Sequence, residues 1–343
     1  MRELKIFDIS LRTVYAQAKE LAQAQAQVPF ITPGSVQIEP RGERRFVYRY
    51  RYDGTGRRVA EYLGPEDDEA TVAKVMEATA EIREAGTLAG YSRDLRRVGF
   101  YSADNSTVVT MASLFNAGIF AGGGVLVGTH AFGVLLNELG VRASPFAMTE
   151  HIDLARAQRI QIAALPKGGL LTLLRETGLP FHEVPQLKRN APATSFKVRG
   201  RQLKVDLLVP SKGKPYEPVD VPELGAHATG LPHFRYLLDG PSHSIVLGRD
   251  RIVPVLIPHA GRFCVHKLAV YSLRSDSAKR EKDVGQAALL AAVLAEHNDF
   301  LLIDAIEAMD RTLRSKVKPG AQRALVLLGS EHVAATRLLA ALA

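Results

Sequence analysis

The sequence predicts a mixed α/β (α+β) fold in three parts: an N-terminal helix, β-meander and helix module at 1–95, a central mixed-sheet core at 96–215, and a mainly helical C-terminal domain at 216–343. Three observations carry that prediction. Strand-like runs follow one another near 35–39, 44–52 and 57–63, separated by glycine-containing turns. From Ser106 to Val209 strand and helix patterns alternate. From Arg262 to Ala343, Leu and Ala recur almost wholly at helical period.

The bulk numbers allow this division. A chain of 343 residues with 46% hydrophobic content can bury two or three cores. The 44 Lys and Arg against 36 Asp and Glu leave a formal charge of +8, which suits a polyanionic partner but equally suits an arginine-rich soluble protein without one. Cys264 is the only cysteine, so neither an intrachain disulfide nor a cysteine-based zinc site can form. Met1 to Thr13 has no apolar targeting segment or small-residue cleavage pattern, and later apolar runs are broken by Gly or charge before about 18 residues. The expectation is a cytoplasmic protein with no membrane contact.

Taking the elements in order, Ile9 to Gln27 reads as a helix rich in Ala, Gln and Leu, stopped by Val28-Pro29 and Thr32-Pro33-Gly34. The meander follows, with turns at Pro40-Arg-Gly42 and Asp53-Gly-Thr-Gly56. Pro65-Glu-Asp-Asp68 then caps a long helix running to about Ala89, with acids in the first turn as the helix dipole prefers. In the middle strand Phe46, Tyr48, Tyr50 and Tyr52 share one face, while Arg45, Arg49 and Arg51 share the other, interrupted by Val47. Such a strand is a candidate nucleic-acid surface, through arginine contacts to phosphate and aromatic stacking. The plainer reading, favoured because any half-buried strand alternates, puts the aromatics in the core against the following helix and leaves the arginines solvated.

In the core, a mostly apolar stretch from Ser106 to about Ala121 leads into the glycine-rich strand ending at Gly128-Thr129, where a short apolar helix begins. A strand carrying His151-Ile152-Asp153 follows, then a helix at Pro166–Thr177 and a strand at Pro180–Pro185. Paired strands Ser195–Val198 and Leu203–Val209, turned at Arg199-Gly200, come next. Ser211 to Glu217 reads as a surface loop, and His227 to Ile257 carries further short strands.

The chemistry concentrates on these strands. Residues alternate faces at about 3.3 Å each, so His151 and Asp153 project to one side roughly 6.6 Å apart. Asp206 stands inside an apolar strand, where an unpaired charge requires a cation, hydrogen-bond donors or protonation. Placed beside Asp153 by a neighbouring strand, it would build a metal and triphosphate site; paired with Arg199 or Lys204, it would be structural. Gly122 to Gly128 is not a dinucleotide fingerprint, because its first glycines precede the strand. Gly128 and Thr129 nevertheless sit where strand becomes helix, so backbone N–H groups and the Thr hydroxyl can face phosphate, although such a start often serves only as a cap. In the helical domain Lys267 lies between Val265 and Leu268, where its ammonium either snorkels or reaches a phosphate. The charges at 279, 280, 282 and 283 read as a solvated face by default.

In their order and spacing GGGVLVGTHAF (122–132), HID (151–153), KVDLL (204–208), PHAGRFCVHKL (258–268) and KREKDVGQA (279–287) resemble the NTP_transf_8 proteins of the DNA polymerase β-like nucleotidyltransferase superfamily. The resemblance covers roughly residues 100–295. It implies a nucleotidyltransferase fold in which carboxylates hold two magnesium ions that align a nucleoside triphosphate (NTP) and activate an attacking hydroxyl. The matching positions are Gly128 and Thr129 at the helix start, His151 and Asp153 on the first strand, and Asp206 on the later one. Lys267 and Lys282 are carried over by position as cations facing the triphosphate.

The chain departs from the pattern at His151, which stands where the superfamily has its first metal-binding carboxylate. Imidazole nitrogen suits Mn2+ better than Mg2+, and Glu150 points to the opposite face unless a bulge intervenes. The implied activity is metal-dependent transfer of a nucleotide from an NTP to a hydroxyl acceptor such as RNA or tRNA, and similar proteins act as toxins beside an antitoxin partner. The alternative is a catalytically inactive protein of the same fold that binds nucleotide or nucleic acid.

Overall fold

Local chain chemistry sets the limits of the first elements more tightly than periodicity does. In the computed structural model, which describes residues 5–30, 33–52, 57–142, 149–162, 165, 167–186, 188 and 190–343, helix α1 spans Ile9–Gln23. It stops short of Gln27 because a tertiary contact takes over: Val28 exchanges two backbone hydrogen bonds, at 2.8 and 2.9 Å, with the Asn116 side-chain amide. The meander forms strands β1 (Ser35–Arg41), β2 (Arg44–Tyr52) and β3 (Arg58–Pro65), antiparallel in that order. The predicted turn at 53–56 and the Tyr52 side chain lie outside the described residues.

Helix α2 runs over Glu69–Val98, about 45 Å at the usual rise, and so well past Ala89. Asp68 caps it by accepting from the Thr71 N–H at 3.1 Å, and the apolar period continues through Leu88 and Leu95 until Gly99 (φ 104) ends it. Val47, Leu63 and Ala78 form a small core between meander and helix. Farther along, Leu88 and Leu95 of α2 pack with Phe7, Tyr15 and Phe100 against the hairpin of β11 (Ser242–Leu247) and β12 (Ile252–Ile257).

The central sheet has seven strands: β4 (Val125–Val127), β5 (His151–Ala155), β6 (Phe181–Glu183), β7 (Ser195–Val198), β8 (Lys204–Pro210), β9 (Pro218–Val221) and β10 (Ala226–Leu231). Its path is β4-β5-β8-β10-β9, with β7 joined to β8 and β6 to β7. β5 and β10 run parallel to β8, while β4 and β7 are antiparallel to their neighbours, so the sheet is mixed as the alternating pattern predicts. The sheet takes in β9 and β10, beyond residue 215, because β8 buries alternate residues and needs a neighbour along its second half. Helices α3 (Asn105–Asn116), α4 (Gly128–Glu138) and α5 (Gly169–Arg175) pack apolar residues onto the same core. The last of these starts later than Pro166 because Gly168, at φ 103, still belongs to the turn.

The remainder is helical: α6 (Phe234–Leu237), α7 (Ala260–Leu273), α8 (Ser277–His297), α9 (Asp299–Glu307), α10 (Arg311–Leu328) and α11 (Val333–Ala340). α7 is buried along most of its length because α8, α9 and α10 surround it. At its contact with α10 a side chain on Gly320 would strike the Leu268 carbonyl oxygen at 2.1 Å, so only glycine permits the approach. Among the described residues no helix is long and apolar enough to cross a membrane.

Candidate active site

The register of β5 against β8 decides whether the two aspartates meet. His151 pairs with Lys204, Ile152 with Val205, and Asp153 with Asp206. Directly paired residues on adjacent parallel strands point to the same side, and neighbouring strands lie about 4.8 Å apart, so the two carboxyl groups share one face. Ile152 and Val205, on the other face, are fully buried in the core. The apolar residues that alternate with each aspartate therefore anchor the strands and turn the carboxylates toward a cleft.

Asp153 lies closest to the helix start. Gly128 takes φ +69, and a Cβ there would fall 1.9 Å from the Asp153 Oδ2, so glycine is needed both for the backbone turn and for the approach of the carboxylate. No side chain caps the N-terminus of α4. Its first-turn N–H groups, with half-buried Thr129, face outward from the end of β4 as a site of positive potential.

The two carboxylates differ in surroundings. Asp206 accepts a hydrogen bond from Ser195 Oγ and forms an ion pair with Lys204 Nζ at 2.7 Å, so one of the two structural partners foreseen for it is present. Arg199, the other, instead lines a shallow groove with His182, Lys197 and Arg201. Asp153 has no such pairing. Burial, and then the negative Asp206, raise its carboxyl to about 7, against the opposing pull of Lys267, Arg274 and Lys204. His151 is exposed on the same face; desolvation lowers its imidazole below the usual range, and Asp206 pulls the other way. Glu150 precedes the strand and lines a separate hollow with Asp104, Thr149 and Arg201.

A cleft of about 480 Å3 opens over this face and is roofed by the helical domain. Val127, Gly128 and Asp153 form one wall, while Phe263, His266, Lys267, Arg274 and Lys279 form the opposite one. Lys267 neither snorkels nor stands alone: it is buried, and its Nζ meets Asp283 Oδ1 at 2.5 Å. Arg274 Nε reaches Asp283 Oδ2 at 2.9 Å. Lys282 is half-buried next to this group, its ammonium pushed below its ordinary range by burial and by Lys267, while Asp283 and Asp153 act in the opposite sense. The charge run at 279–283 is therefore not a uniform solvated face. Positions 279, 282, 283 and 286 recur on one side of α8, and that side turns inward along its length: Lys279 is exposed, Lys282 half-buried, and Asp283 and Gln286 buried.

Asp283 and Arg274 were not singled out by sequence reasoning. The available signal was an acid beside Lys279, Arg280 and Lys282 in a helix whose continuation through Ala295 is apolar except for Gln286. Arg45, Arg49 and Arg51 lie away from the cleft, on the side of β2 that faces α2, and each has a carboxylate: Arg45 pairs with Glu66 at 3.0 Å, Arg49 with Glu81 at 2.6 Å, and Arg51 with Glu61. The plainer expectation for this strand is thus corrected. Val47 and Arg49 turn inward and the aromatic rings outward, because Val47 is the residue that completes the small core with Leu63 and Ala78.

The donor set can be tested against the metal that this chemistry uses. Two register-paired carboxylates, one held at about 7 by burial and its like-charged neighbour, would be relieved by a cation, so Asp153 and Asp206 are the residues that would hold a divalent ion, with Lys204 competing for Asp206. Among the described residues no group of three or more His, Cys, Asp or Glu side chains is gathered to hold a metal.

A mixed sheet with paired carboxylates, a glycine-led helix start and a cation-rich helical roof defines a nucleotidyltransferase-fold protein. The sequence profile of the NTP_transf_8 nucleotidyltransferases matches residues 105–310, more than half of the chain, and the protein belongs to that family. The matched span holds Asp153, Asp206, Gly128, Lys267 and Lys282, and leaves the meander outside. No curated protein and no solved structure shows significant similarity to the chain.

Proposed function

We propose that the cleft transfers a nucleotide from an NTP to a hydroxyl acceptor, with RNA or tRNA as the acceptor class, in the cytoplasm. Family membership supports nucleotidyl transfer in general and, with it, NTP and a divalent metal. The observation that carries the reading is the like-charge pairing of Asp153 with Asp206, with Asp153 lining the cleft that Lys267 and Arg274 also line. A divalent cation bound by the two aspartates, Mg2+ or Mn2+, would offset phosphate charge and acidify the acceptor hydroxyl.

The protein's own groups account for the rest. The α4 N-terminus with Gly128 and Thr129 is placed to receive phosphate oxygens through backbone N–H groups. Lys267 and Arg274 supply positive charge from the opposite wall, where Asp283 pairs with both, and Lys282 adds charge from beside them. His151 sits at the exposed rim, where a nitrogen donor is better suited to Mn2+ than to Mg2+. Toxin-like action on RNA, opposed by an antitoxin partner, is the finer form of this proposal.

The Lys204–Asp206 ion pair at 2.7 Å favours a second reading, in which the protein binds nucleotide or nucleic acid without transfer, since Lys204 occupies the carboxylate that a metal would need. Incubation with labelled NTPs, either metal and total RNA separates the two. The first reading expects label in RNA, lost by about a thousandfold in Asp153→Asn and Asp206→Asn. Triphosphate binding without transfer in either metal selects the second.

A further inference from the structure

The outer face of the meander carries a surface that the transfer cleft does not use. Register pairs Tyr48 of β2 with Tyr62 of β3, and Phe46 and Tyr50 alternate onto the same face, opposite to the buried Val47 and Arg49. Their rings form a continuous set: Tyr48 lies 5.3 Å from Tyr62 and 6.2 Å from Tyr50, and Phe46 lies 6.1 Å from Tyr62. Tyr62 is 53% exposed although it is among the largest side chains of the module. An aromatic sheet face left in water is costly unless something covers it, because each ring withholds substantial apolar area from burial.

Guanidinium groups lie on these rings. Arg58 is 3.7 Å from the centroid of the Tyr50 ring and Arg41 is 5.2 Å from that of Tyr48. The Arg58 and Arg41 side chains come from the strands flanking β2, so the face presents positive charge along both of its edges. Its one carboxylate among the described β1 and β3 residues is Glu39, which accepts from Tyr50 Oη and lies 3.7 Å from Arg41. By contrast Arg45, Arg49 and Arg51 are paired to glutamates on the helix side.

Flat π-surfaces about a strand spacing apart, edged by guanidinium, match one ligand chemistry: planar bases joined by a phosphate backbone. A duplex hides its base faces within the stack and cannot use the rings. A purely anionic surface would need the arginines and not the tyrosines. We propose that the outer face of the β1-β2-β3 sheet is a single-stranded polynucleotide-binding platform, with bases stacking on Tyr48 and Tyr62 and phosphates held by Arg41 and Arg58. This site lies outside the transfer cleft, and its existence does not depend on whether the cleft is active.

The test is fluorescence anisotropy of the full chain with labelled single-stranded oligouridine, oligothymidine and a duplex of the same length. Binding of a single strand at least tenfold tighter than the duplex is expected, with a log–log salt slope of roughly −1 to −2 for two phosphate contacts. The uridine and thymidine arms show whether RNA or DNA is preferred. Tyr48→Ala with Tyr62→Ala should weaken binding about thirtyfold, while Tyr48→Phe with Tyr62→Phe keeps it within a few-fold. Arg45→Gln, on the helix side, should leave it unchanged. If the double alanine variant fails to fold, Tyr62→Ala alone, at an exposed position, gives the reading through a smaller loss. Equal affinity for duplex, or unaltered binding after ring removal, overturns the proposal. So does a concentration-dependent dimer abolished by ring removal, which would make a second copy of this chain the occupant.

Discussion

Asp153 in the cleft and Arg49 in the meander are both charged side chains set in strands between apolar residues, yet their neighbours differ in sign. Arg49 is 7% exposed, donates to Glu81 at 2.6 Å and to the Pro33 carbonyl at 3.0 Å, and so has a partner for its charge. Asp153 faces Asp206 across the strand pair, and the cations that act on it are already engaged, Lys267 and Arg274 by Asp283 and Lys204 by Asp206. A buried charge with its counter-ion is a structural device. A buried acid opposite its own sign either keeps its proton or takes its balance from outside the chain.

The sharpest way to break this comparison is Asp153→Asn, measured twice. Transfer should fall by about a thousandfold, as removal of a group acting directly on the reacting centre does. Stability should move in the opposite direction. The folded carboxyl sits at about 7 and an unfolded aspartate near 3.9, so this group's favourable contribution is present at low pH and is lost as pH rises through about 7. At pH 8 the asparagine variant should be more stable to urea, by roughly 2 kcal/mol, with the difference shrinking toward pH 4. Destabilisation at pH 8 would show that Asp153 already has its counter-charge, as Arg49 does.

Asp283→Ala examines the buried charge cluster at the cleft's helical wall. It leaves Lys267 buried without its partner and frees Arg274, which should cost about 3 kcal/mol in urea unfolding. The double variant with Lys267→Met should recover much of that loss, since the ammonium and its desolvation go together. Recovery of stability without recovery of transfer would separate the structural part of the cluster from the triphosphate contact proposed for it.

Much of this arrangement was legible before any geometry. The meander, the mixed sheet and the helical C-terminal region follow from apolar period, whereas the pairing of positions 153 and 206 is only allowed by two strands each carrying an acid among apolar residues, and it was the family resemblance that implied it. Less legible was anything set by which face meets which helix. In β2 the rings and the arginines alternate equally well in either orientation, and the small residue Val47 was the deciding mark: an apolar side chain on the arginine side means that side is covered. Asp283 was hidden for a related reason, because a charge cluster on a helix looks solvated until a second helix is laid over it. Lys204 stands two residues before Asp206 on β8 and so shares its face, and this alternation within one strand, invisible until the strand's limits are fixed, selects it over Arg199 as the partner.

Within the core, His130 offers a neutral counterpart to Asp153. It is buried in α4, meets the Tyr101 hydroxyl through Nδ1, and desolvation pushes its imidazole down to about 4. An unfolded histidine titrates near 6.5, so below that pH the unfolded chain takes up a proton that the folded one refuses. The stability associated with the neutral ring is therefore present above about 6.5 and lost as pH falls toward 4, by roughly 2 kcal/mol. His130→Gln should flatten that acid limb in a series of urea titrations. This slope is opposite in sign to the one expected from Asp153, so the two variants together resolve the protein's pH profile into its cleft and core contributions.

Arg49→Met should have the smallest effect and completes the comparison from the meander's side. The substitution keeps most of the aliphatic stem that lies against the small core, and it deletes the guanidinium hydrogen bonds to Glu81 and to the Pro33 carbonyl. Glu81 is 55% exposed on its side chain, so water replaces the lost partner and no unpaired charge is buried. A loss of about 1 kcal/mol is expected, the ordinary worth of such bonds, with nucleotide transfer unchanged. Calorimetry with a transfer assay checks both. A fall in transfer would mean that the meander holds the acceptor through its helix side, and the distinction between a charge balanced from within and one balanced from without would no longer separate these two regions.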